Sequence, residues 1–172
     1  MSIITFKNKT PSISPDCFIA PTSTIIGDVQ IGSQSSVWFG SVIRGDVFNV
    51  KIGNNTNIQD NSVIHVTTNK YATLIGNNVT IGHSVTLHGC LIKDNTLIGI
   101  GAIVMDQSEI DEWSIIAAGS VLKPGSKVPS GKLWGGAPAK EIRNITEKER
   151  EWIKELSINY VNLSKEYIAN NN

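Results

Sequence analysis

An aliphatic residue recurs every six positions through most of this chain, and few folds accommodate such a period. From Ile13 the steps reach Ile19, Ile25, Ile31, Val37 and Ile43. They resume at Ile52, Ile58 and Ile64, then at Ile75, Ile81 and Leu87, and finally run through Ile92, Ile98, Val104, Ile110, Ile116, Leu122 and Val128. A helix repeats every 3.6 residues and an amphipathic strand every two, so neither alone explains a step of six. A solenoid of short strands does, because each strand sends one aliphatic side chain inward before the chain turns a corner. With three sides per coil, these rungs wind about six coils.

Four residues after most rungs stands a small residue, as at Cys17, Ser23, Ser35, Ser41, Thr56, Ser62, Val85, Ala102 and Ser114. A larger side chain there would overfill a narrow interior. By the same count Val47, four after Ile43, is expected to be core, and the two cysteines, Cys17 and Cys90, read as reduced packing residues. Glycine directly follows several rungs (Gly32, Gly53, Gly82, Gly99), which suggests tight corners. Trp38 follows a rung, so it is expected to face outward with Phe39 as a subunit contact.

The ladder stops near Val128. Residues 1–130 are therefore expected to form the β-helix domain with a short N-terminal segment, and 131–144 a Gly/Pro-interrupted connector. Residues 145–169 are expected to form a C-terminal helix packed on the prism. Thr146 and Glu149 have capping-box spacing, and Trp152, Leu156, Tyr160, Leu163 and Tyr167 follow as a helical stripe.

Charge narrows the partners. Fifteen Lys and Arg balance fifteen Asp and Glu, so no concentrated basic face is expected and neither nucleic acid nor membrane is an expected partner. No run of about 18 apolar residues suggests a transmembrane span, and Met1–Thr10 has no apolar core of a signal peptide. A cytoplasmic protein is expected.

The chain has three histidines, His65, His83 and His88. On the ladder Ile64 lies beneath Leu87, so His65 and His88, each the next residue, stack on adjacent coils about 4.7–4.9 Å apart. That spacing suits two imidazoles on one metal. His83 falls two residues after Ile81, on the neighbouring side, with Asp60 in the matching slot one coil below. About 16 Å of extended chain separates His83 from His88. One metal is therefore reached most easily if one subunit offers His65 and His88 and another offers His83, as in a cyclic homotrimer.

The segments Arg44-Gly45-Asp46, Asn57-Ile58-Gln59-Asp60-Asn61, His65, Gly82-His83 and Leu87-His88-Gly89-Cys90 resemble the γ-class carbonic anhydrases. So do Gly136–Lys140 and the terminal helix, and the resemblance spans nearly the whole chain. It implies an all-β solenoid, a left-handed parallel β-helix of hexapeptide repeats with a C-terminal α-helix, trimeric, with metal sites at subunit interfaces. It implies His65, His83 and His88 as ligands of zinc, with iron or cobalt as alternatives, and reversible hydration of CO2 to bicarbonate by metal-bound hydroxide. Gln59 would orient the hydroxide or hold CO2, with Asn57 beside it. Arg44 and Asp46 would pair across the interface, and Asp60 would hold Arg44 of the next subunit. Tyr160 matches a tyrosine that approaches the metal in some members, with helix packing as its other reading.

Two departures bear on rate. Active relatives carry a Glu directly after the Arg-x-Asp motif, where this chain has Val47, and an acidic loop between the first two metal histidines. Here the loop Val66–Thr73 has no carboxylate, so metal binding is a firmer expectation than fast proton release. The alternatives are an acyltransferase or acyl-CoA thioesterase of the same superfamily, and a non-catalytic metal-stabilised trimeric scaffold.

Overall fold

The structure is a computed structural model and describes residues 2–170. Its body is a parallel β-solenoid whose strands are mostly two or three residues long. Two longer strands, Thr24–Ile31 and Val42–Ile52, bend round a corner and join two faces into one twelve-stranded sheet. The third face is an eight-stranded sheet. Inward residues stack in three columns. One runs Ile25, Ile43, Ile64, Leu87, Val104, Leu122. The second runs Ile13, Ile31, Ile52, Ile75, Ile92, Ile110, Val128. The third runs Ile19, Val37, Ile58, Ile81, Ile98, Ile116. Most of these side chains are completely buried, each burial contributing about 1.5–3 kcal/mol.

Each column is seven rungs deep rather than six. Ile3 pairs with Ile25 at one end, and Trp134 pairs with Ile116 at the other. Ile3 is off the six-step because a bridged turn (Phe6 to Lys9) intervenes, whereas Trp134 keeps it, six after Val128, as an aromatic rung. Trp134 belongs to a hairpin. Strand Lys132–Gly136 extends the third face in parallel and pairs antiparallel with Ala139–Asn144, so the Gly/Pro-interrupted segment completes a sheet.

Three local expectations are corrected. The glycines after the rungs are not corner residues. A Cβ on Gly53 would lie 2.6 Å from the Gly76 backbone, and one on Gly99 2.5 Å from the Ala118 nitrogen. Their role is close approach of successive coils. Left-handed conformations fall instead on residues such as Asn55, Asn78 and Asn95 (φ 53°, 54° and 54°), a region asparagine tolerates. Their amides form a ladder, Asn55 Nδ2 donating to Asn78 Oδ1 and Asn78 Nδ2 to Asn95 Oδ1, each at 3.2 Å.

The second correction is Val47. The register between the two long strands shifts so that Val29 pairs with Val50. Val50 is fully buried and fills the interior slot, while Val47 sits on the bulge and only packs against the core's edge. Third, Trp38 is buried under the chain's own helix. Its ring lies 5.4 Å from Tyr160 and 5.2 Å from Tyr167.

That helix, α1, spans Glu147–Asn170. Its capping box forms: the Thr146 amide donates to Glu149 Oε2 at 2.7 Å, and the Glu149 amide donates to Thr146 Oγ1 at 3.2 Å. The packed stripe is turned from the expected one. Ile153, Ser157 and Ser164 are its buried residues, whereas Trp152 and Leu163 are exposed. The two serines let the helix lie close to the sheet, and Ser157 Oγ donates to the Asn55 carbonyl at 2.8 Å. Among the described residues no helix is long and apolar enough to cross a membrane.

Candidate metal centre

Parallel pairing puts His88 directly over His65, with Leu87 over Ile64 anchoring the register inside. His65 Nδ1 lies 3.3 Å from His88 Nε2. Each ring's other nitrogen meets a carboxylate: His65 Nε2 lies 3.0 Å from Asp46 Oδ1, and His88 Nδ1 2.9 Å from Asp106 Oδ1. An ionised carboxylate only accepts, so the ring nitrogen facing it carries the proton and the opposite nitrogen of a neutral ring is a lone pair. Two lone pairs then face each other across 3.3 Å, which needs a positive centre, a metal ion or a proton, beside them. A tetrahedral ion holding two nitrogens at about 2.0–2.1 Å keeps them about 3.3 Å apart. The donor pair therefore fits a divalent metal.

Arg44, in regular register just before the bulge, and Asp46, just after Gly45 where the bulge begins, flank this pair. Arg44 Nη1 donates to Asp46 Oδ2 at 2.6 Å. Arg44 and Asp46 therefore already pair within one chain. Burial pushes the Asp46 carboxyl up, but hydrogen bonds from Arg44 and His65 outweigh it and hold the group below its ordinary 3.8. The loop after His65 is tied to the same place: the Asn69 amide donates to the Val47 carbonyl at 3.1 Å, and Thr67 Oγ1 donates to Asp106 Oδ1.

His83 lies elsewhere, after the Thr80–Ile81 strand of the third face. Its Nδ1 is 2.9 Å from Asp60 Oδ2, so within the chain Asp60 meets His83 rather than an arginine. Gln59 is buried beside it and donates through Nε2 to Asn57 Oδ1 at 3.1 Å, while Asn57 Nδ2 donates to Thr80 Oγ1 at 2.9 Å. Gln59 also lines a groove of about 450 Å³ under α1, together with Gly82, Ile100, Trp152, Leu156 and Tyr160. Burial first, and the charge of Asp60 second, push the Tyr160 phenol above its ordinary 10, so it is a neutral hydroxyl near neutral pH.

The structure thus gathers the nine expected site residues into two groups. His65, His88, Arg44 and Asp46 form one; His83, Asp60, Gln59, Asn57 and Tyr160 belong to the other. Among the described residues, no three His, Cys, Asp or Glu side chains within the chain could hold a metal together. Asp106 as the partner of His88, and Thr67 as the partner of Asp106, were not legible. Asp106 stands eighteen residues after His88, one coil on, and that spacing was the available signal. The cysteines are inert: burial pushes Cys90 to about 12 and Cys17 to about 11.

Residues 10–45 and 89–124 match the family model described as bacterial transferase hexapeptide (six repeats). The chain is 44% identical over 167 residues to the protein named carbonic anhydrase from Geobacillus kaustophilus, covering 97% of this chain and 91% of that one. It is 43% identical over 169 residues to gamma carbonic anhydrase 2, mitochondrial, of Arabidopsis thaliana, covering 95% of this chain. There it spans only 61% of the plant protein's length. The crystal structure of a hexapeptide transferase family protein from Anaplasma phagocytophilum superposes with a TM-score of 0.93 at 44% identity, over 96% of this chain and 98% of that one. A whole-length relative at this identity, on a prism that carries the histidine register, shows that the chain belongs to the γ-class carbonic anhydrase-like family of hexapeptide-repeat β-helix proteins.

Proposed function

We propose that this protein is a metal-dependent carbonic anhydrase of the γ type, interconverting CO2 and water with bicarbonate and a proton. The observation that carries the proposal is the His65–His88 pair, whose free nitrogens converge at 3.3 Å while carboxylates hold their far nitrogens. Imidazole donors in a four-coordinate site suit zinc, with iron or cobalt as alternatives. A divalent ion held there acidifies a bound water and so supplies hydroxide near neutral pH.

The protein's own residues do the rest. His83 of a second copy completes the ligand set, since within one chain it stands with Asp60 on another face; a homotrimer repeats that contact three times. Gln59, steadied by Asn57, keeps its carbonyl oxygen available to orient water or CO2 in the buried end of the groove. Arg44 neutralises Asp46, and Asp46 holds the His65 ring. Tyr160 offers a neutral hydroxyl at the groove. Neither Val47 nor the loop from Val66 to Thr73 supplies a carboxylate to carry the proton away. Turnover is therefore slow and depends on external base.

The test is metal content of anaerobically purified protein alongside CO2 hydration. About one divalent ion per subunit is expected, lost in His65→Ala, His83→Ala and His88→Ala, with hydration that rises as buffer is added. Stoichiometric metal in all three variants would overturn the site. Metal without hydration, accompanied by thioester hydrolysis, would overturn the reaction.

A further inference from the structure

Asp106 lies outside every motif that marks the family resemblance, yet it makes the hydrogen bond that orients a proposed metal ligand. Its Oδ1 accepts from His88 Nδ1 at 2.9 Å and from Thr67 Oγ1. The carboxylate is only 24% exposed and the His88 side chain 30%. The approach depends on Gly89, where a Cβ would lie 2.2 Å from Asp106 Oδ1 and φ is +56°. Thr67 is itself fixed, because its amide donates to the Tyr71 carbonyl at 3.0 Å and the Lys70 amide donates back to the Thr67 carbonyl at 3.1 Å.

We propose that Asp106, clamped by Thr67, is the positioning residue that keeps the His88 proton on Nδ1 and aims the Nε2 lone pair at His65 Nδ1, thereby setting the affinity of the His65–His88 pair for a divalent cation. The physical reason is the chemistry of the acceptor. A carboxylate offers no donor, so only the Nδ1–H tautomer of a neutral His88 satisfies this contact. An amide in the same place can turn either its carbonyl or its NH2 toward the ring, and the tautomer is no longer dictated. Partners of this kind, one bond beyond the metal, typically alter affinity 10–100-fold. Thr67 adds a second constraint: it occupies the lone pair of Oδ1 that would otherwise let the carboxylate rotate. In this way the carboxylate-free loop after His65 takes part in metal binding through a hydroxyl.

The inference rests on the metal proposal, so its test begins without metal. Nitrogen NMR of the full-length apo protein, labelled at histidine, reads the His88 tautomer directly. The native protein should show His88 Nδ1 protonated whether or not a proton is shared between its Nε2 and His65 Nδ1, and Asp106→Asn should show a mixture at Nδ1 with an unchanged apo melting temperature. Zinc competed against a chromophoric chelator should then bind 10–100-fold more weakly to Asp106→Asn and several-fold more weakly to Thr67→Val. Thr67→Val leaves the carboxylate in place and keeps the proposal testable if Asp106→Asn does not fold. An unprotonated Nδ1 in the native apo protein would overturn the proposal, as would native zinc affinity in both variants. If the native protein itself bound no zinc, the metal proposal would fail, while the tautomer measurement would still judge the role of Asp106.

Discussion

Gly53 shows how a single side chain is constrained by the pitch of the coil. It has an ordinary φ, so the usual argument about left-handed backbone does not apply, yet a methyl group there would sit 2.6 Å from Gly76 backbone atoms. The Gly76 carbonyl accepts from Thr56 Oγ1 at 2.8 Å and the Gly76 amide donates to the Ile92 carbonyl at 2.8 Å, so those atoms cannot move without loosening the coil. Gly53→Ala should therefore destabilise the protein by about 1–3 kcal/mol. Gly101→Ala is the informative contrast. It stands in open space at φ +69°, and should cost only the smaller strain of the left-handed backbone, about 1–2 kcal/mol. Urea denaturation of both would separate crowding from conformation. A Gly53→Ala protein as stable as the native one would show that successive coils can spread apart.

The solenoid strand and the terminal helix fail in different ways. Ile98 is completely buried between Ile81 and Ile116. Ile98→Asp would place a carboxylate among apolar neighbours at a cost of several kcal/mol and should leave no folded protein by circular dichroism. A Lys93→Ser change breaks only an exposed ion pair with Asp111 and should leave the stability nearly unchanged. The helix depends on its first turn. The Arg143 hydrogen bond first, and the Thr146 amide second, draw the Glu149 carboxyl from its ordinary 4.5 to about 2. A folded value below the unfolded one means that this contribution is complete above pH 4.5 and is lost as pH falls toward 2. Glu149→Ala should thus cost about 1 kcal/mol at neutral pH, and the gap from the native protein should close across that acidic window. A gap independent of pH would show that the carboxylate is not what caps α1.

For the molecule as a whole, the two groups of site residues predict complementation between chains. Trimers made only of His65→Ala, or only of His83→Ala, should lack the site. Trimers refolded from equal amounts of both should regain about one site in four, wherever a His83→Ala chain presents His65 and His88 to an intact His83. The measurement is tightly bound zinc in mixed trimers separated by charge tags, where the pure trimers are removed and about one site in three should be filled. Recovery of none in verified mixed trimers would mean that the ligands are not shared in this way.

Much of this was legible in the residues because a solenoid makes register local. Each rung pairs with the one a coil away, so counting from Ile64 and Leu87 was enough to stack His65 under His88, and counting from Ile58 and Ile81 set Asp60 beside His83. The count failed wherever the backbone left the six-step. The bulge after Gly45 moved Val50 into the slot expected for Val47. The count also stopped short at Trp134, which keeps the step six residues after Val128 but, being aromatic, falls outside an aliphatic count. The helix stripe turned because small serines, which carry no hydrophobic signal, allow the closest approach. Hydrogen bonds such as Asp106 to His88 depend on side-chain reach between coils, and a one-dimensional period carries no information about reach. Periodicity places the backbone; which polar atoms then meet is set by packing in three dimensions.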